Sequence, residues 1–260
     1  MTKETFNFEI VLPDGTIYKS DKKESVIHGF TQDGKTKKMK FSLKSECEHC
    51  GECCKRDTPI LLKEDIALLT RGILSEKDVY TIRVGEKIRS SIDGETYYSS
   101  MELIKIKPIF GSFTCLFYDS KEGCTIYEQR PYVCREYECW GENLKLTGLE
   151  KRRLTRADIF GGIDLIKEIL KKHEENCSFY KFDELIDELK KGKEENLHKI
   201  AEMILYDSSL RDWVKASFSL SDEVLPLFFG RSLFEIAALY GLIIEKEGEN
   251  FIVKVIQGED

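Results

Sequence analysis

Eight of the nine cysteines fall in two short stretches, Cys47, Cys50, Cys53 and Cys54 in the first and Cys115, Cys124, Cys134 and Cys139 in the second. Thiolates are soft metal ligands and redox groups. Where disulfides are rare, a dense set of them points to a metal centre or to thiol chemistry. The ninth, Cys177, stands alone and is expected to be a buried or idle thiol.

The first stretch reads Cys47-Glu-His-Cys50-Gly-Glu-Cys53-Cys54. The C-x2-C-x2-C spacing lets one loop wrap several thiolates around a single centre, as at the start of bacterial ferredoxin motifs, where a remote cysteine completes the set. Gly51 allows the positive φ or close backbone approach such a loop needs. Zinc sites more often pair one C-x2–4-C unit with a second pair, so the triplet favours iron–sulfur. Cys53 and Cys54 are adjacent, and neighbouring side chains rarely aim at one centre. Cys54 therefore serves either a second centre or the packing behind the first.

In the second stretch the spacings are x8, x9 and x4, too loose for one helical face, so a hairpin and short turns must deliver these sulfurs. Pro131 restricts the approach to Cys134. Arg130 and Arg135 flank that thiol. They either stabilise its thiolate and a bound anionic cluster or pair with Glu128, Glu136 or Glu138. Eight thiols are twice what a four-coordinate centre takes, so there are two centres, or one centre with reactive or spare thiols.

Among the histidines, His49 lies at a spacer position inside the first stretch and is a weaker candidate than its cysteine neighbours. His173 and His198 fall on polar helical faces and are expected at the surface. Asp65 is expected either as a charge at a helix N-terminus or as a group behind the metal ligands. No Ser/His/Asp spacing or paired-carboxylate arrangement supports a hydrolase.

The elements that must position these residues give an α+β reading. It has a β N-terminal region (1–44), a small cysteine-bearing metal-binding module (45–142) and a mostly helical region ending in a β-hairpin (143–260). Phe6, Phe8 and Ile10 alternate with polar residues before a Pro13-Asp14-Gly15 turn. Residues 21–40 are read as an exposed hairpin or loop, its Lys35, Lys37, Lys38 and Lys40 a solvated face. Residues 62–69 suit a short helix stopped at Gly72, and residues 96–107 a strand or hairpin. Ile159, Ile163, Ile166 and Leu170 form a helical stripe capped at Thr155, with Gly161-Gly162 read as close packing within it. Further helices are expected around 197–204 and 231–240, with two strands at the end.

The chain holds 260 residues, 41% of them hydrophobic, which is enough for a sizeable core and excludes wholesale disorder. Its 40 Lys and Arg against 47 Asp and Glu give a net charge of -7, which argues against nucleic acid as a partner. No apolar run reaches the roughly 20 residues of a membrane span, and MTKETFNFEI has no secretory pattern. A cytoplasmic protein without membrane or nucleic-acid partners is expected.

The pairing of CEHCGECC with the second block, including Ile126-Tyr127 and Arg130-Pro131, resembles the CxxCxxCC cysteine-cluster family of zinc- or iron-chelating domains. YkgJ-like proteins belong there, and flagellin lysine N-methylases share the domain. The resemblance covers about residues 45–142. It implies metal binding at Cys47, Cys50, Cys53, Cys54, Cys115, Cys124 and Cys134, and leaves Cys139 as an extra candidate. S-adenosylmethionine-dependent methylation of protein lysine is implied by the flagellin-modifying branch alone. There is no GxGxxG loop and no CxxxCxxC run beside it. Two readings stand. One is a [4Fe-4S]-type protein with a redox or protein-modification role; as an enzyme it would be an iron–sulfur-dependent oxidoreductase or that methyltransferase, acting on a protein substrate. The other is a structural-zinc module that binds a protein partner.

Overall fold

The structure is a computed structural model that describes residue 47 and residues 49–90, 94–137, 148–247 and 250–255, together with the backbone of four strands between residues 8 and 40. The chain divides into two units, residues 1–50 with 138–144 and residues 51–137 with 145–260. In the first unit, β1 (Phe8–Val11), β2 (Ile17–Ser20), β3 (Val26–Phe30) and β4 (Thr36–Lys40) pair antiparallel in sequential order, with Phe8 opposite Ser20, Ile17 opposite Phe30 and Val26 opposite Lys40. Part of the lysine-rich stretch thus forms a strand. The Pro13-Asp14-Gly15 turn lies outside the described residues.

The second unit opens with helix α1 (Glu52–Arg56), followed by a 3-10 turn over Lys63–Asp65, helix α2 (Ile66–Thr70) and Gly72 at φ 70. Strands β5 (Val79–Ile82) and β8 (Leu103–Ile106) pair antiparallel, and so do β6 (Lys87–Arg89) and β7 (Thr96–Tyr98). Residues 59–61 lie along the free edge of β8: Leu61 N–H donates to the Ile104 carbonyl (2.7 Å) and Ile106 N–H to that of Pro59 (3.1 Å). Short strands β9 (Tyr118–Asp119) and β10 (Gly123–Cys124) make the next hairpin, and helix α3 (Tyr132–Glu136) follows. Leu61, Leu68, Val79, Ile104, Ile106, Cys115 and Leu154 form the apolar core beneath these pieces.

Helices α4 (Leu149–Arg152), α5 (Arg156–Phe160), α6 (Asp164–Asn176), α7 (Phe179–Lys190), α8 (Asn196–Phe218), α9 (Leu225–Phe229) and α10 (Leu233–Ile236) make up most of the remainder. The hairpin of β11 (Leu242–Glu247) and β12 (Asn250–Val255) closes it. A second core gathers Phe179, Phe182, Ile186, Ile200, Ile204, Leu233 and Tyr240. Mixed helices and small antiparallel sheets bear out the α+β class.

The expected helix from Thr155 is two helices. Thr155 caps α5, its hydroxyl accepting from Asp158 N–H, but the chain breaks at Gly161-Gly162 before α6. Close packing holds at Gly161, where an added Cβ would lie 2.2 Å from the Ala157 carbonyl oxygen, but not at Gly162, which has open space where a Cβ would be. Ile163 is half exposed at the start of α6 instead of continuing the stripe. No helix among the described residues is long and apolar enough to cross a membrane.

Candidate metal centre

Cys53 and Cys54 lie on α1, whose start needs Gly51. This glycine sits at φ 77, and a Cβ there would come 2.2 Å from the Tyr118 ring. Both demands, a left-handed backbone and contact with an aromatic ring, exclude larger residues. The other end of α1 is tied to the sheet by Asp57, which accepts from Lys105 Nζ on β8 at 2.7 and 2.8 Å.

The loop after β8 then delivers Cys115. Ile109 N–H donates to the Thr114 carbonyl (2.7 Å) and Leu116 N–H to that of Lys107 (3.1 Å), so the chain doubles back. On the returning arm, Cys115 N–H donates to the Cys54 carbonyl (2.7 Å). This backbone bond joins the two cysteine stretches. The β9–β10 hairpin sets Cys124 opposite Tyr118. Cys134 sits in the middle of α3, whose N-terminal N–H, that of Tyr132, donates to Asp65 Oδ1 (2.8 Å).

Sulfurs of Cys53, Cys54, Cys115 and Cys134 lie near enough to one another and to Cys124 for their charges to be felt. The Cys53 and Cys54 sulfurs share a hydrogen bond across 3.8 Å that either can donate, and the contact lowers Cys53 and raises Cys54. Burial pushes Cys115 up to about 11, with the Cys124 and Cys53 sulfurs adding to it. Burial also raises Cys134, helped by Cys115, Cys53 and Cys124. Thiols crowded out of water resist ionisation, and a bound cation reverses that preference. Cys54 also packs against the apolar core. Its sulfur therefore has a wall of hydrocarbon behind it and Cys53 beside it.

Cys47 and exposed Cys50 belong to the first unit, and Cys139 lies outside the described residues. His49 is exposed, with φ 57. Arg130 donates to the Tyr127 carbonyl (2.8 Å) and lies 3.8 Å over the Tyr127 ring, while Arg135 donates to the Arg130 carbonyl (2.9 Å). Both arginines thus brace the turn leading into α3. Glu136, one of the carboxylates weighed as their partner, takes Arg152 at 3.4 Å.

Sequence reasoning misplaced His173. It is fully buried, not at the surface, with Nε2 2.7 Å from Asp207 Oδ1. Burial holds its imidazole down at about 4, so at neutral pH the ring is uncharged and donates to Asp207. His198 is exposed as expected. Cys177 is buried as expected but not alone. Its sulfur and donor atoms of His173 and Asp207 lie within 4.8 Å of one another, the one such trio among the described residues.

By distance that trio could hold a metal, but its surroundings weigh against a cation. Asp207 Oδ1 also accepts from Arg211 (2.8 Å) and Oδ2 from Leu233 N–H (2.9 Å). Arg83, which donates to the Cys177 carbonyl (2.7 Å), adds a second guanidinium whose charge lowers His173 further. Arg211 already pairs with the site's carboxylate and Arg83 with Glu174, so a divalent ion would have to compete with Arg211 for Asp207.

A family model described as CxxCxxCC, putative zinc- or iron-chelating domain, matches residues 46–177. The match is longer than the resemblance suggested, running through α6 to Cys177 instead of ending near 142. No curated protein and no solved structure matches the chain.

Proposed function

The chain belongs to the CxxCxxCC family of zinc- or iron-chelating domains, and from that premise we propose that the second unit's thiols hold an iron–sulfur cluster of the [4Fe-4S] type. The observation that carries the reading is the Cys54–Cys115 backbone bond, which draws sulfurs from two remote stretches into one all-thiol set. The donor chemistry fits. Cys53, Cys54, Cys115, Cys124 and Cys134 offer soft ligands, which favour iron–sulfur clusters and zinc over magnesium or calcium. The C-x2-C-x2-C spacing of Cys47, Cys50 and Cys53 supports a cluster over a single zinc, because it is the spacing that opens bacterial ferredoxin motifs.

Bound there, such a cluster supplies one-electron redox chemistry. The chain's own residues supply partly buried thiols, the α1 joint to β8 and the α3 brace. A redox or protein-modification role and a cytoplasmic setting complete the proposal, supported by eight described cysteines that are all free thiols. The reading is tested by reducing anaerobically purified protein. It predicts a broad absorption near 400 nm that bleaches and a paramagnetic signal that appears. A colourless protein with neither overturns it.

Zinc in a structural role is the second reading, favoured by the packing of Cys54 and Cys115 into the apolar core. It predicts that a chelator removes zinc and unfolds the second unit together, with no redox signal.

A further inference from the structure

Asp65 is buried, yet it carries a carboxylate, and a buried charge is costly unless hydrogen bonds repay it. Its two oxygens divide their work. Oδ2 accepts from Leu62 N–H (2.9 Å), closing the turn that starts α2, and Oδ1 accepts from Tyr132 N–H (2.8 Å), 67 residues away. Helix α3 begins at Pro131 with no side-chain cap of its own, so its first free N–H is satisfied from α2's turn. Cys134 is two residues further on. A second brace runs through Arg152, which donates to Glu64 (3.1 Å), pairs with Glu136 (3.4 Å) and lies 4.8 Å over the Tyr132 ring. Those groups are all partly exposed, and exposed ion pairs contribute little. The Asp65 bond is the strong tie.

Resting on the metal reading above, we propose that Asp65 is a positioning residue for the metal centre: it fixes α3 so that Cys134 faces the other sulfurs. An asparagine keeps the shape but presents only one acceptor, so one of the two N–H groups loses its partner. Groups that orient metal ligands typically affect metal affinity by about 10–100-fold.

The test is the half-life of iron or zinc loss to excess chelator, measured anaerobically on protein as purified. Asp65→Asn should shorten it about tenfold or more, but by less than about twofold when Cys134→Ser is already present, because Asp65 acts through that sulfur. Equal shortening in both backgrounds makes Asp65 a general fold contact and overturns the proposal. A second measurement needs neither variant to fold. In the wild type, stripping the metal should speed exchange of the Tyr132 amide about tenfold, with the Leu62 amide changing less than about twofold. Equal acceleration of both overturns the proposal. Wild-type protein purified without iron or zinc fails the metal reading itself, a result distinct from either of these.

Discussion

The main-chain N–H of Cys115 donates to the carbonyl of Cys54 at 2.7 Å. Sixty residues of strands, turns and a short helix separate the two in sequence, and this bond holds the returning arm of the 107–116 loop against α1. Because it is a backbone bond, the sulfurs are brought together by the fold and not by their own affinity for one another.

Cys115→Ser keeps that backbone bond and removes only the sulfur. It should lower the metal content of purified protein by half or more, with the far-UV spectrum retained. Cys177→Ser should leave metal content unchanged, since Cys177 sits in the helical core with His173 and Asp207. Elemental analysis of both variants decides; metal lost on Cys177→Ser and kept on Cys115→Ser would reverse the assignment.

Gly51→Ala should destabilise the second unit. The positive φ alone costs an alanine about 1–2 kcal/mol, and its methyl group must push aside the Tyr118 ring. A lower denaturant midpoint at unchanged slope is expected, with faster metal loss because α1 carries Cys53 and Cys54. An unchanged midpoint would mean the turn relaxes freely.

A ladder of charges, its two arginines buried and Glu174 partly exposed, joins the sheet to the helices. Arg156 donates to Glu102 (Nε, 2.9 Å), to Glu174 (Nη2, 2.7 Å) and to the Phe228 carbonyl (2.7 Å), and Glu174 also takes Arg83 at 2.8 and 2.7 Å. Removing one member strands the others. Arg156→Ala should cost about 3 kcal/mol or more in chemical unfolding; a loss under about 1 kcal/mol, as for an exposed pair, would contradict the buried reading.

Acid should weaken the helical core in two stages. His173 titrates at about 4 in the fold against an ordinary 6.5, so the neutral ring's contribution is complete above pH 6.5 and drains away as pH falls towards 4. The size is roughly 3 kcal/mol. Burial would raise Asp207, but the His173 hydrogen bond and the Arg211 charge hold it at about 2, and its contribution goes only below its ordinary 3.8. Unfolding followed from pH 7 to 4 should show a steeper loss in wild type than in His173→Gln. Parallel curves would place the sensitivity elsewhere.

The cysteine blocks, the Gly51 turn, the Thr155 cap and the terminal hairpin were legible because each rests on local spacing or backbone chemistry. The pairing of Asp65 with Tyr132 was not. A lone aspartate ahead of a helix signals a cap, and nothing in the local pattern says which remote N–H it will also take. His173 was missed although a signal existed. Ile166, Leu170, His173 and Cys177 follow one another at three- and four-residue steps, the period of a buried face, and only the polarity of the imidazole argued for solvent. The break at Gly161-Gly162 was hidden by the opposite error, an apolar stripe read through two residues of poor helix propensity.

Iron, zinc and acid-labile sulfide measured in anaerobically purified wild-type protein identify the bound centre outright. A [4Fe-4S] cluster predicts iron and sulfide in near-equal amounts, bound per chain and lost on Cys115→Ser. Folded, pure protein that holds zinc without sulfide, or no metal at all, would contradict it.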